Sequence, residues 1–526
     1  MKKVIPLLAL TLTVWAAAKT ATDTARFRKK LDPSKQAEHL LSRATFGIRP
    51  GDVDAARKLG LKKWLNQQLN PQSIPENPAL LSVLAAMPTL ALSPERLAIE
   101  YPTPQMITAV ALGRAALPTD PELRATYERL AARYKARIDR KKGDNDQPQG
   151  VPVDRSELEE RLRRRGAQLS TAERSELLRK FAPQQAVASE LTEARIYRAV
   201  MSERQLEEVL TDFWFNHFNV YLDKGADRWL TTSYERDAIR PHVLGKFKDL
   251  LSATAHHPAM LFYLDNWQSV APNGPQRPRA RGINENYARE LMELHTLGVD
   301  GGYTQKDVQE VARCFTGWTV AEPNRGGQFR FAPRMHDDGE KVVLGVTIPA
   351  GGGIKDGEKV LDILSHHPST ARHIATRLAQ RFVADNPPPS LIDQLAATFT
   401  RTDGDLKAVV RAMFESREFM SEGAFRAKIK SPLEMVAGAL RATGATLSSA
   451  MSASQAIAQM GQPLYRKQEP TGYSNSGEDW LNSAGLLARM NFAIALSENK
   501  LPGIVIDKER YAAVARSMGA PEWQRR

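Results

Sequence analysis

The stretch "NENYARELMELHTLG" (Asn284–Gly298) decides how the chain is read. At 100° per residue, Tyr287, Ala288, Leu291, Met292 and Leu294 share one broad apolar face. Asn286, Glu290 and Glu293 stand at i, i+4 and i+7 and form a polar column on the opposite side. This is the period of an amphipathic α-helix, and Gly298 suits the position just past its end. His295 falls in the apolar sector near that end, where an imidazole can meet the last free carbonyls and the negative pole of the helix dipole. The stretch lacks the H-E-x-x-H or E-x-x-H spacing that puts metal ligands on one face. It is therefore either a solvated acidic face with Arg289 as internal partner, or a donor of two carboxylates to a site that another helix completes.

The other helix is "TDFWFNHFNVYL" (Thr211–Leu222), whose aromatic and aliphatic bulk surrounds it and predicts burial. It nevertheless carries Asp212, Asn216 and Asn219 in one column, and His217. Buried polar groups need partners, because an unpaired one costs about 1–3 kcal/mol. Either they knit the core by bonding to backbone, or His217 meets Glu290 or Glu293. The second arrangement is an acid–base couple or half of a divalent-metal site. It makes His217, Glu290 and Glu293 the candidate catalytic and metal-binding residues, with Asn216 and Asn286 orienting groups.

Working outward, helix starts recur. Ser170-x-x-Glu173, Ser202-x-x-Gln205, Thr304-x-x-Asp307 and Ser431-Pro432-x-Glu434 all read as capping boxes or close variants. The two His-His-Pro phrases, at 256–258 and 366–368, read as further starts, with Pro in the first turn. Strand-like residues flank Pro323–Gly327, and an Asp-Asp-Gly turn precedes a short apolar run, so a small β-hairpin is expected near 317–346. The fold class is mainly α: a large multi-helical body with that β insertion. The expected order is a leader (1–18), an N-terminal helical segment (19–117), charged helices (118–200) with a flexible loop near 139–155, a motif-bearing core (201–500) and a C-terminal tail (501–526).

Cys314, the only cysteine, lies at an apolar helix position and reads as packing, and one cysteine excludes an internal disulfide. His336, Asp337 and Asp338 share a polar turn without the twelve-residue calcium-loop pattern. Arg277, Arg279 and Arg281 precede the central helix, as either an anion-attracting cluster or loop decoration. No G-x-S-x-G elbow, Walker loop or dinucleotide fingerprint is present.

The N-terminus has the form of a secretory signal: Lys2 and Lys3, an apolar run Val4–Trp15, then Ala16-Ala17-Ala18 before Lys19. The apolar run is shorter than the about 20 residues a membrane helix needs. We expect an exported protein, periplasmic or extracellular, cleaved near Ala18 and without a transmembrane anchor. Net charge is +13, or +11 (13 − 2) after loss of Lys2 and Lys3. An exported basic protein meets anionic envelope polymers. Nucleic acid is discounted, because the charge is dispersed and no zinc-finger spacing occurs.

Several phrases together resemble the bacterial family known as DUF1800: "HLLSRATFGIRPGDV", "LTDFWFNHFNV", "HHPAMLFYLDN", "NENYARELMELHTLGVDGGYTQKDVQEVARCFTGW", "FRFAPRMHDDGEKVVLG", "HPSTARHIATRLAQRFVAD" and "IKSPLEMVAGALRATG". The resemblance spans about residues 36–500. It implies a large exported bacterial protein whose family travels with a second exported family of alkaline-phosphatase-like type, and it implies no reaction. The expected function is a hydrolase-like enzyme acting on an extracellular or envelope polymer. The alternative is a non-catalytic scaffold or assembly partner of the phosphatase-like protein.

Overall fold

Three of the four predicted capping boxes close as expected. Ser170, Thr304 and Ser431 each accept from the backbone three residues on, and Glu173, Asp307 and Glu434 return the bond. The fourth does not form. The helix there begins at Gln205, while the Ser202 hydroxyl donates to Glu76 and the Gln205 amide is spent on Phe46, Ala199 and Ser202. Tertiary partners outcompete the local cap. At both His-His-Pro phrases the second imidazole caps the helix: His257 accepts from Ala259 N and His367 from Ser369 N.

The computed structural model describes residues 25–143, 169–272, 274 and 282–526. The leader, most of the expected flexible loop and Arg277, Arg279 and Arg281 lie outside them. The part of that loop at 139–143 is the end of the helix Pro121–Gly143. The chain is mainly α, with small antiparallel hairpins. Among the described residues no helix is long and apolar enough to cross a membrane.

One apolar core runs from Phe27 to Met518. A smaller cluster, Ile107, Ala111, Tyr127 and Ala131, ties Pro104–Ala111 to the helix after it, across the expected boundary at 117–118. The β insertion is two hairpins rather than one: β1 (Trp318–Ala321) with β2 (Gln328–Phe331), and β3 (Lys341–Val343) with β4 (Val346–Ile348). Gly317, at φ +81°, lets the chain turn into β1 where a side chain would strike the Ala332 carbonyl.

Five helices position the polar residues of interest: α1 (Pro183–Met201), α2 (Gln205–His217), α3 (Asn286–Glu290), α4 (Pro368–Phe382) and α5 (Pro432–Ala442). α3 differs from the expected single α-helix. After Glu290 it widens into a π-helical turn, Leu291–Thr296. The Leu297 amide reaches back to the Met292 carbonyl, and the Thr296 hydroxyl to the Leu291 carbonyl. A constant 100° per residue therefore fails across Glu290–His295, because a π-turn inserts backbone and rotates the residues beyond it.

Candidate functional site

α2 presents two polar faces. The first carries His217, which is 4% exposed and enclosed by Phe213, Trp214 and Phe218. Its Nε2 lies 3.1 Å from the His295 carbonyl oxygen. The His295 and His373 rings stand 6.2 Å and 5.9 Å from it, centre to centre. His373 bonds in turn to the Leu294 carbonyl at 3.1 Å. Two histidines, from α2 and α4, thus serve carbonyls of the π-turn, which a widened turn exposes.

Burial holds all three imidazoles neutral. It pushes His217 well below its ordinary value, with His373, Arg377 and His295 adding to the effect. Burial, with His373, lowers His295 to about 3. Burial lowers His373 to about 4, against the bond to Leu294. The His295 Nε2 is buried without a hydrogen-bond partner, so His295 does not serve the helix-end carbonyls as its place on the helical wheel predicts.

Among the described residues no hydrogen bond or ion pair joins His217 to Glu290 or Glu293; its Nε2 is taken up by the His295 carbonyl. Burial, then the charge of Glu293, raises Glu290. Glu293 faces Tyr303, whose hydroxyl is raised by burial and then by that carboxylate. Arg289 pairs with Glu285 at 3.3 Å. Asn286 is exposed; its amide reaches the Leu264 carbonyl at 3.4 Å, and its backbone N–H is capped by Asn284. Among the described residues no three His, Cys, Asp or Glu side chains are grouped to hold a metal ion, so the set His217, Glu290 and Glu293 makes no such centre.

The helix ends at His217, short of the expected Leu222, so of the predicted column only Asp212 and Asn216 stand on the second face of α2; Asn219 follows just past its end, and all three meet a pocket. Asn216 grips the backbone of Tyr473 in both directions, donating to its carbonyl at 2.8 Å and accepting from its N–H at 2.6 Å. Asn219 donates to the carbonyls of Lys467 and Glu469, each at 3.0 Å. The two amides act as β-strand surrogates that fix the segment 467–473 against the helix. Gly472, at φ +69°, is required there, since a Cβ would stand 2.2 Å from the Asn216 carbonyl oxygen.

Asp212 joins a buried ionic network. It lies 3.2 Å from both Arg195 of α1 and Arg381 of α4. Arg381 and Arg526 converge on Glu434 of α5. Burial would raise the Glu434 carboxyl, but those two guanidiniums bring it down to about 2. Lys428 pairs with Asp385; burial lowers it to about 8 despite that partner. All of these side chains except Asp385 wall a chamber of about 40 Å³, which Tyr473 and Trp480 also line. Tyr473, Ser474, Asn475 and Trp480 also wall a larger cleft of about 850 Å³, which Arg377, Asp385, Lys467, Glu478 and Asp479 line as well.

Cleft and chamber were not read from the sequence, apart from the Asp212–Asn216–Asn219 column. The available signal was "EPTGYSNSGEDW" (469–480), a turn-rich polar run that contains two aromatics between apolar segments. The His336 turn is structural: His336 bonds to Asp356 at 3.1 Å, and Arg313 takes both oxygens of Asp337. Cys314 is buried, which pushes its thiol up to about 12, in keeping with packing.

No curated protein and no solved structure matches the chain. A family model does, from residue 39 to residue 524, and the chain accordingly belongs to DUF1800, a family described as proteins of unknown function.

Proposed function

We propose that the chain is an exported, hydrolase-like enzyme acting on an extracellular or envelope polymer that lies along the cleft at 461–480. The cleft carries this reading. At about 850 Å³ it has the volume for several linked units. Tyr473 and the largely buried Trp480, their ring centres 6.0 Å apart, set an apolar edge among the polar walls, a mixture that suits a sugar ring. Hydrolysis of a glycosidic bond needs one carboxyl to protonate the leaving oxygen and another to activate water or attack. Asp385, Glu478 and Asp479 supply carboxyls in this cleft. Asn216 is a positioning residue, because it holds the Tyr473 backbone.

The test is release of new chain ends from purified envelope polysaccharides, anionic and neutral, by the mature protein. Turnover is expected with at least one class and should fall by about 10²-fold or more in Asp385→Asn or Asp479→Asn. If every polymer stays intact and unbound, the reading fails. Export rests on the Lys2–Ala18 leader, and N-terminal sequencing of secreted material should begin at Lys19.

A second reading, a non-catalytic assembly partner, is favoured by one surface. The helix Ser483–Ser497 exposes Leu487 (59%), Met490 (50%) and Ile494 (48%) along one side. Such a stripe suits a protein contact. Co-purification with the co-exported phosphatase-like protein, abolished by Leu487→Lys with Met490→Lys, supports it; equal recovery from both chains argues against it.

A further inference from the structure

The inner chamber holds more cationic capacity than its carboxylates use. Arg195, Arg381, Lys428 and Arg526 face it, against Asp212 and Glu434. Counting Asp385, which pairs with Lys428 from the cleft side, and Glu235, 3.9 Å from Arg195, balances those four. Arg43, fully buried close by and repelling Arg526, tips the set to a cationic excess. Charges withdrawn from water need counter-charges, and a surplus of buried guanidinium calls for an anion.

Specific donors are idle. Arg526 is 5% exposed; its Nη2 serves Glu434 and the Arg381 carbonyl, while its Nε and Nη1 have no partner. The Asn475 Nδ2, on the wall between chamber and cleft, is also buried and unpartnered. Nε and Nη1 lie on opposite edges of the guanidinium, so each offers its own N–H to an anionic oxygen. The chamber's about 40 Å³ exceeds the roughly 10–15 Å³ that one water requires and accommodates a few oxygen-sized atoms. Outside it, Arg377 lines the cleft.

We propose that this chamber binds a compact oxyanion (a carboxylate, sulfate or phosphate group), held by Arg526 and Asn475 and presented through the cleft. This rests on the polymer reading in one respect: the group is taken to be a substituent of the chain in the cleft, which makes the substrate an anionic polymer. The same chemistry is offered by a free inorganic anion, and the two sources separate experimentally.

The full mature protein is titrated with inorganic phosphate and with sulfate at constant ionic strength, chloride replacing them in the control, and binding is followed by calorimetry and melting temperature. Saturable binding is expected. It should weaken at least tenfold in Asn475→Asp, which keeps the shape and reverses the electrostatics, and in Arg526→Gln. Arg526→Gln also loses the Glu434 contact, so Asn475→Asp, with an unaltered melting temperature in chloride, decides if Arg526→Gln folds poorly. No saturable binding beyond chloride, or binding unaltered in Asn475→Asp, overturns the proposal.

Competition then assigns the source. Displacement of phosphate by an anionic polymer, but not by a neutral one, places the polymer's own group in the chamber. Phosphate binding that no polymer displaces leaves the anion site standing and removes the polymer from it. Turnover of polymer without any phosphate or sulfate binding removes the anion site and leaves the cleft reading intact.

Discussion

Helix α2 turns one face to His295 and His373 and the other to Arg195, Arg381 and the segment 467–475, and the two faces treat polar residues in opposite ways. Around His217 the surroundings are aromatic rings and carbonyls, and the imidazole is held neutral. Around Asp212 the surroundings are guanidiniums, which bring counter-charge to the carboxylate from two other helices. Both faces are buried or nearly so. A polar side chain inside a core is thus not itself the mark of a reactive site; the groups that reach it from distant parts of the chain decide whether it is insulated or engaged.

The contrast between the faces breaks most severely at Glu434. Glu434→Gln leaves Arg381 and Arg526 without their shared carboxylate and should cost about 3–5 kcal/mol in denaturant unfolding, the usual penalty for stranding a buried charge. A loss under about 1 kcal/mol would mean that solvent already bathes the network. Next comes Asn216→Ala, which frees the Tyr473 backbone and should cost about 1–3 kcal/mol. On the polymer reading it should also weaken cleft binding while leaving the histidine face unaltered, which proton spectra of the imidazoles would report.

The histidine face is sharpened by acid. Unfolded, each imidazole binds a proton near its ordinary value of 6.5; folded, His295 does so only near 3 and His373 near 4. Their contribution is complete above about pH 6.5 and is lost as pH falls toward 4, by about 1.4 kcal/mol per pH unit for each ring. His39 and His257 are lowered in the same way, so the informative quantity is the slope difference between the wild type and His295→Leu. Equal slopes would place the His295 ring in water. The smallest effect is expected at Glu290→Gln, within about 0.5 kcal/mol and on the stabilising side, since burial and Glu293 already disfavour the charged form. Loss of polymer turnover in that variant would move the reactive centre to α3 and away from the cleft.

The helical body was legible because its signals are local. A capping serine and its glutamate lie three residues apart, and the boxes at Ser170, Thr304 and Ser431 formed as the spacing dictates. Ser202 shows the limit, since Glu76 and Phe46 claimed its residues from far along the chain. The burial of α2 and the shared face of Asp212 and Asn216 were also visible, because periodicity reports which residues share a face; Asn219 joins them from beyond the helix end. The partners of these residues were not visible. Arg381, Lys428, Tyr473 and Arg526 arrive from four separate segments, and no period links them to Asp212. The π-turn was hidden for a related reason: Leu291–Thr296 has ordinary α-helical composition, and its widening is fixed by histidines whose positions only the fold supplies.

The chamber is closed by an antiparallel pairing of Ile429 with Arg525, with Lys428 and Arg526 exchanging backbone bonds. Its walls therefore join Arg195 to Arg526 across more than three hundred residues of chain. Loops of that length close late, after helices with local contacts have formed. The wall that Arg526 supplies is therefore present only once residues 525–526 have paired with 428–429, so the C-terminal residues and the Asp212 face of α2 depend on each other across most of the chain.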